Sequence, residues 1–246
     1  MDDNPWIDQE LPAEPRPNRN AEPDGGKRPY TDKEIARLAH GPVADHLRPP
    51  PSLYLPDLMH VAALSGMRLE EICQLRVADC ANGSFEVRFG KTVNARRSVP
   101  IHPELASIVA SRTEGRPHDA YFIEGLSEVP ASRDGRSDPA SKAFSRYRQK
   151  VGVDERPNDK AKSNVDFHSF RRWFIRKAME ALEHGATGFT AWTIADVVGH
   201  DDEGMKDTLK LTMRHYPGQS GGTAKRALVE AVKLPSLPPQ PDGETP

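Results

Sequence analysis

The sequence lacks several features that would place it outside the cell or in a membrane. Its 246 residues contain only two cysteines, Cys73 and Cys80, which are too few for a disulfide framework and lack the paired spacing of a zinc site. The helical pattern around Cys73 favours a buried thiol. No run approaches the roughly 18 apolar residues of a membrane span, and the N-terminus has neither the basic start nor the apolar stretch of a signal peptide. We therefore expect a soluble, cytoplasmic protein.

Net charge is also low, at -2, which does not favour nucleic-acid binding, because phosphate binding is driven by lysine and arginine releasing counterions. The charge is unevenly distributed, however. Residues 1–28 hold seven acidic and four basic side chains, whereas residues 29–234 hold 27 acidic and 30 basic ones. The middle of the chain is mildly basic, which permits nucleic-acid binding without predicting it.

Apolar residues make up 36% of the chain, which is low for a protein that is compact throughout. Many of the 23 prolines concentrate near the two ends, where no apolar period is present. We therefore predict tails over residues 1–28 and 235–246 and one folded domain over residues 29–234.

Most of the predicted domain has the apolar spacing of amphipathic helices. Thr31 followed by Glu34 forms a capping box that opens a short helix. Two further helices flank a break at Ser65-Gly66. The remaining helices are predicted over residues 103–110, 142–151, 167–182, 190–198, 207–215 and 223–232.

Two short β-type runs, residues 84–89 and 97–101, flank the turn-prone residues 90–94. This pattern predicts a small antiparallel sheet. The fold class is therefore mainly α with a small antiparallel β-sheet, an α+β arrangement.

Arg68 follows a glycine break at the start of a predicted helix. Helix starts attract phosphate through free N–H groups and the macrodipole, and an arginine adds a planar fork that binds two phosphate oxygens. The alternative is a surface ion pair between Arg68 and Glu71, three residues on.

His168 and Arg171 lie three residues apart, which puts both side chains on one face of a predicted helix, where they can bind one anion. An ordinary solvated helix face is the alternative. Gly199-His200 follows another predicted helix, and there a plain C-cap alone would explain the glycine.

Tyr216 ends a polar predicted helix, and the following Pro217-Gly218 fixes a turn that would present the phenol. A lone tyrosine is more often an amphipathic surface or core residue. The other four tyrosines all precede His168, so no other phenol follows Gly199-His200.

The order of these elements resembles the signature of the tyrosine recombinases of the phage integrase family. That order is Gly66-x-Arg68, a hairpin lysine at Lys91, His168-x-x-Arg171, Gly199-His200 and Tyr216. Local strings match as well: residues 65–75 resemble the first arginine box, residues 90–101 the β-hairpin lysine segment, and residues 168–173 the second box. The resemblance covers residues 29–234, and five ordered elements are far more specific than any one of them.

The resemblance implies a catalytic domain that cleaves and rejoins double-stranded DNA through a 3′-phosphotyrosine link on Tyr216, with no metal or other cofactor. In the implied site, Arg68, Arg171 and His200 would bind the phosphate. Lys91 would be the acid for the leaving 5′-oxygen, and His168 the base for the tyrosine. Glu71 would be the orienting carboxylate.

The resemblance also implies assembly as a tetramer on DNA, in the nucleoid. Helix 223–232 would dock on a neighbouring protomer, because it has little to pack on in an isolated chain; folding back onto its own domain is the alternative. Residues 1–28 cannot form the helical core-binding domain of the family. Within them, Asn4-Pro5-Trp6 resembles the end of that domain. We therefore expect a truncated gene or a catalytic fragment.

One departure from the family is the connection from His200 to Tyr216, which is longer than usual. Three other functions stay open. A DNA-binding remnant would keep the fold without activity, and a type IB topoisomerase would share the same catalytic residues. A metal-dependent nuclease would need clustered carboxylates, for which Asp201-Asp202-Glu203 is the candidate.

Overall fold

The structure, a computed structural model, describes residues 26–43, 50–88, 96–126, 135–158, 161–199 and 220–236. Within these ranges the chain is mostly helical with one two-stranded sheet, which confirms the predicted fold class. The helices are α1 (Asp32–His40), α2 (Leu55–Ser65), α3 (Leu69–Gln74), α4 (Ala106–Thr113), α5 (Asp138–Lys150), α6 (His168–Glu183), α7 (Ala191–Val198) and α8 (Gly222–Ala231). The strands are β1 (Ser84–Val87) and β2 (Arg97–Pro100), and short 3-10 helices span Pro51–Leu53, Val77–Cys80 and Pro103–Leu105. Among the helices described, none has the length and apolar composition to cross a bilayer.

Helix α1 begins at the predicted capping box. The backbone N–H of Glu34 donates to Thr31 Oγ1 at 3.2 Å, and the Thr31 N–H donates to the Glu34 carboxylate at 2.7 Å, so two end amides are satisfied. The preceding Tyr30 is buried and donates its hydroxyl to the carbonyl of Asp166 at 2.7 Å. Lys27 also binds Asp166, at 2.7 Å. The segment before α1 therefore packs on the start of α6, while the domain boundary near residue 29 stays a prediction.

Helix α2 lies at the centre of the core. Eight of its 11 residues are buried, and it packs against α1, α3 and α6, which explains why its apolar residues are not confined to one face. Cys73, in α3, is fully buried as predicted, and burial raises the pKa of its thiol well above the usual range. This core holds the starts of α3 and α6 in fixed positions.

The break between α2 and α3 is the predicted glycine. Gly66 has a φ of +65° and closes α2 with a hydrogen bond from its N–H to the carbonyl of Ala62. A left-handed residue here turns the chain so that Arg68 stands at the start of α3. A Cβ on Gly66 would lie 2.7 Å from Phe174 Cδ1, so the position leaves no room for a side chain.

Gly66→Ala is expected to lower the free energy of unfolding by roughly 2–4 kcal/mol, because it combines left-handed strain with overpacking against Phe174. Denaturant unfolding measures the change. Gly152→Ala is the matched control, since Gly152 has a φ of +69° but no atom within 4 Å of its added Cβ. Equal losses in the two variants would contradict the packing contribution.

The sheet is the predicted antiparallel hairpin, with Phe85 opposite Val99 and Val87 opposite Arg97. Phe85, Val87, Val99 and Arg97 point into the domain, whereas Ser98 faces outward. The connecting residues 89–95, which include Lys91, lie outside the described residues. The sheet therefore carries one charged side chain, Arg97, on its buried face.

Helix α8 folds back onto its own domain. Leu228, Val229 and Val232 are at most 1% exposed and pack among α6, α7 and β2 of the same chain. The expectation that this helix has little to pack on in an isolated chain is therefore wrong, because helix α7 and strand β2 build an apolar surface for it. Of the two alternatives for helix 223–232, docking on a neighbouring protomer or folding back onto its own domain, the structure shows the folded-back arrangement.

Candidate functional site

The structure describes four of the seven predicted site residues: Arg68, Glu71, His168 and Arg171. Outside the described residues lie the other three, Lys91, His200 and Tyr216, together with the predicted helix 207–215 and the acidic run 201–203. Arg68 and Glu71 stand at the start of α3, and His168 and Arg171 in the first turn of α6. Both helix starts meet the C-terminal end of α7.

Arg68 directly precedes the first residue of α3. Its Nη1 donates to Glu71 Oε1 at 2.9 Å, and its backbone N–H donates to Oε2 at 2.9 Å. The ion pair that was the alternative interpretation is thus present, but Glu71 is buried, so the pair is not a surface one. The Arg68 side chain is 36% exposed. A guanidinium held from behind by Glu71 therefore remains accessible to an anion.

Arg171 reaches the same place from α6. Its Nη1 donates to the carbonyl of Gly66 at 3.1 Å and to that of Val198, and its Nη2 donates to the carbonyl of Gly199 at 3.3 Å. The residue is only 3% exposed, so an ordinary solvated helix face does not describe it. These bonds to backbone carbonyls hold the buried guanidinium in one orientation.

Arg68 and Arg171 meet at one atom although 103 positions separate them in the sequence. Arg68 Nη2 donates to the Gly199 carbonyl at 3.2 Å, beside the bond from Arg171. Gly199 is the predicted C-cap of α7, with a φ of +62°, and the carbonyls at a helix C-terminus carry the negative end of its dipole. Two guanidinium groups therefore lie side by side directly before residue 200.

A third arginine at this point was missed by sequence reasoning. Arg97, from β2, donates from Nη1 and Nη2 to the two oxygens of Glu71 at 3.0 and 2.7 Å, and from Nε to the carbonyl of Val197 at 2.7 Å. It is 5% exposed. The available signal was strand alternation, which puts Arg97 on the same face as Val99 and so predicts a buried charge that needs a partner.

Glu71 is the carboxylate shared by Arg68 and Arg97. Its burial opposes ionisation, but the hydrogen bond and charge of Arg97, together with the backbone N–H and charge of Arg68, outweigh burial and lower the pKa of Glu71. The side chain is therefore ionised at neutral pH and holds both guanidinium groups. The orienting role of Glu71 in catalysis stays a prediction.

His168 is exposed at the first position of α6, close to Arg68 and Arg171, two of the three predicted phosphate ligands. Desolvation by its surroundings and the positive charges of Arg172 and Arg171 lower the pKa of His168 to about 4. The imidazole is therefore neutral at physiological pH in the DNA-free chain, as an acceptor of a proton must be.

Proton NMR of the DNA-free chain is expected to show His168 titrating near pH 4 rather than at its usual 6.5. Because the folded pKa is the lower one, the unfolded chain binds the proton more tightly, and stability contributed by this group falls as pH drops from about 6.5 to about 4. Arg172→Gln removes one nearby cation and is expected to raise the midpoint. A wild-type midpoint near 6.5 would contradict this electrostatic account.

The sequence of the chain matches the profile of a known protein family. The sequence profile of the phage integrase family matches residues 31–206, more than two-thirds of the chain. The chain belongs to the phage integrase family. The matched segment of this integrase-family chain contains Arg68, Lys91, Arg171 and His200, and it ends ten residues before Tyr216.

Solved structures with a similar fold include three integrases or recombinases. They are XerA recombinase (20% identity over 77% of this chain and 64% of that chain, TM-score 0.46), the integrase of mycobacterium phage Brujita (19%, 84% and 58%, 0.48) and the lambda integrase catalytic core (18%, 72% and 97%, 0.49). The integrase-family chain thus spans about three-fifths of the length of the first two. A comparison with proteins of curated function finds no matching sequence.

Proposed function

We propose that this chain is the catalytic domain of a site-specific DNA recombinase that breaks and rejoins DNA strands through a 3′-phosphotyrosine intermediate. The observation that carries the proposal is the convergence of Arg68 and Arg171 on the Gly199 carbonyl, directly before His200. Two adjacent guanidinium groups are suited to the non-bridging oxygens of one phosphodiester. Double-stranded DNA is the proposed partner.

The arginines supply charge stabilisation. Arg171 is fixed by three carbonyl bonds, and Arg68 is fixed by Glu71 while its side chain remains partly exposed. Groups oriented in advance need not reorganise as negative charge builds up on a pentacoordinate phosphate. His200, the next residue after the shared carbonyl, would donate a third hydrogen bond to the phosphate.

In the proposed cleavage step, Tyr216 Oη attacks the phosphorus and the bond from phosphorus to the 5′-oxygen breaks. Neutral His168 accepts the phenolic proton, and Lys91 donates a proton to the departing 5′-oxygen. The 3′ side stays linked to the tyrosine, which conserves the phosphodiester energy. Attack on this link by the free 5′-hydroxyl of a partner strand forms a new phosphodiester bond, breaks the bond to Tyr216 and completes strand transfer. An unperturbed phenol titrates near pH 10, so the adjacent cations also favour the phenolate.

The proposed domain organisation follows the sequence prediction, with the catalytic domain over residues 29–234 and tails over residues 1–28 and 235–246. The chain spans about three-fifths of the length of two of the similar solved structures, and exchange of strands between two duplexes goes beyond the single cleavage step proposed for it. Strand cleavage is therefore the activity to test in this chain.

Tyr216→Phe is expected to abolish formation of a covalent protein–DNA adduct. The chain is incubated with a nicked or phosphorothiolate suicide duplex, which traps the cleaved state, and adducts are separated on a denaturing gel. EDTA is included in one arm, and a panel of unrelated duplex sequences in another. The wild-type adduct is expected to survive EDTA.

Tyr121, which precedes His168 in the sequence, provides the matched control. Tyr121→Phe alters a tyrosine that stacks between two arginines, outside the proposed site, and is expected to leave the adduct intact. DNA cleavage that leaves no adduct and stops in EDTA would point to the acidic run 201–203 and a metal-dependent nuclease, because such an enzyme uses water as its nucleophile. DNA binding with no adduct on any duplex would contradict catalysis and favour the DNA-binding remnant.

A further inference from the structure

We infer that Arg97 is a positioning residue for the reaction. Through its bonds to Glu71 and Val197, it holds the Arg68 guanidinium and the end of α7 in fixed relative positions. This inference rests on the proposed function for its effect on rate. Its structural content, that Arg97 fixes the Arg68 guanidinium, can be tested without DNA.

Arg97 joins three separate elements. It stands at the start of β2, binds Glu71 in α3 through both terminal nitrogens, and binds the Val197 carbonyl at the end of α7 through Nε. The three contacts use all three nitrogens of the planar guanidinium. A lysine has one nitrogen and cannot make this set of bonds, so Arg97→Lys keeps the charge and removes the geometry.

Both oxygens of Glu71 link Arg97 to Arg68, and Oε1 joins the two guanidinium groups directly, whereas Oε2 joins Arg97 Nη2 to the Arg68 backbone N–H. Glu71 Oε1 accepts from Arg97 Nη1 at 3.0 Å and from Arg68 Nη1 at 2.9 Å. Without Arg97, the carboxylate loses its buried partner and can rotate toward Arg68. The guanidinium of Arg68 would then leave the orientation in which its Nη2 reaches the Gly199 carbonyl.

The end of α7 depends on three arginines in succession. Arg97 binds the carbonyl of Val197, Arg171 that of Val198, and both Arg68 and Arg171 that of Gly199. Gly199 lies against Arg97 so closely that an added Cβ would be 2.8 Å from its Nη1. Arg97 therefore fixes the backbone that Arg68 and Arg171 share.

Because Arg97 is 5% exposed, it acts through other residues and is not expected to contact DNA. Its removal should lower the rate of cleavage more than the affinity for DNA. Loss of residues that orient metal ligands lowers activity by about 10- to 100-fold, and we expect an effect of that size here.

The test compares wild type, Arg97→Lys and Arg97→Gln with Arg112→Lys in single-turnover reactions with the suicide duplex. Arg112 is the matched control because it is also buried and binds one carboxylate, Asp57 at 2.5 Å, and one carbonyl, that of Leu53, away from the site. The rate constant, the final amount of adduct and the Kd for DNA are measured separately. Proton–nitrogen NMR of the DNA-free chain reports the rotation of the Arg68 guanidinium, identified through Arg68→Lys.

Support requires a 10- to 100-fold lower rate constant in Arg97→Lys, with the final adduct and Kd little changed and with faster rotation of Arg68. Arg112→Lys should match wild type. A reduced final amount with an unchanged rate constant would mean that Arg97 only stabilises the fold, and would overturn the inference. An unchanged rate and unchanged Arg68 rotation would also overturn it.

Two further outcomes keep the inference separate from the proposed function. If Arg97→Lys does not fold, Arg97→Gln decides, since it leaves the Glu71 charge paired with Arg68. If wild type forms no adduct, the proposed function fails, and the NMR measurement alone decides the role of Arg97: freed rotation in the variant supports it and unchanged rotation refutes it.

Discussion

Glu71→Ala is expected to lower the free energy of unfolding by about 3–5 kcal/mol, because it leaves a buried positive charge without its partner. Arg97 has a side chain only 2% exposed and is paired through both terminal nitrogens with Glu71. Removing the carboxylate also frees Arg68. Denaturant unfolding at pH 7 measures the loss, and the final amount and rate of DNA adduct measure its effect on the site.

The neighbouring carboxylate provides the control. Glu70 is half-buried and accepts from the backbone N–H groups of Arg136 and Ser137, near the start of α5, so Glu70→Ala is expected to cost about 1 kcal/mol, as for a lost helix cap. The paired change Glu71→Leu with Arg97→Met removes both buried charges and should recover much of the stability, though not the cleavage rate. Equal losses from Glu70→Ala and Glu71→Ala would contradict the importance of the buried pair.

Arg171→Lys is expected to slow adduct formation by about 100- to 1,000-fold, the range found for loss of one fixed donor to a developing oxyanion. A lysine has no planar fork, so it cannot bind the carbonyls of Gly66 and Gly199 and a phosphate together. Single-turnover cleavage of the suicide duplex measures the change.

Arg172→Lys is the matched control, because it conserves charge one residue further along the same helix. Arg172 lies 3.7 Å from Asp166 in a partly exposed ion pair, and such pairs contribute little. Its rate is expected to stay close to that of wild type. Similar losses in both variants would indicate a general effect of charge or helix stability and not a specific role of Arg171.

The features that the sequence predicted well are those that depend on residues close together in the chain. The Thr31 capping box, the break at Gly66 between α2 and α3, and the Gly199 C-cap of α7 each depend on a short string of residue types. These local signals also predicted that Arg68 stands at a helix start. The order of motifs then predicted the phage integrase family, which the family profile confirmed.

The features that were missed depend on contacts between distant segments. Strand alternation marks Arg97 as inward-facing, but its partner Glu71 lies 26 positions away on another element, and nothing in the sequence pairs them. Likewise, the apolar face of α8 was evident, whereas the surface that covers it is built from α7 and β2. The periodicity of a helix or strand predicts which side chains share a face, but it does not identify the distant residues that pair with them or cover them.

The most direct test of the account is to identify the amino acid that becomes attached to DNA. The trapped adduct is digested with trypsin and nuclease, and the peptide carrying nucleotide phosphate is sequenced by mass spectrometry. The account predicts the tryptic peptide of residues 215–225, modified on Tyr216 through a 3′-phosphate, with a free 5′-hydroxyl on the released strand. A modification on any other residue, or cleaved ends that carry a 5′-phosphate and a free 3′-hydroxyl, would contradict it.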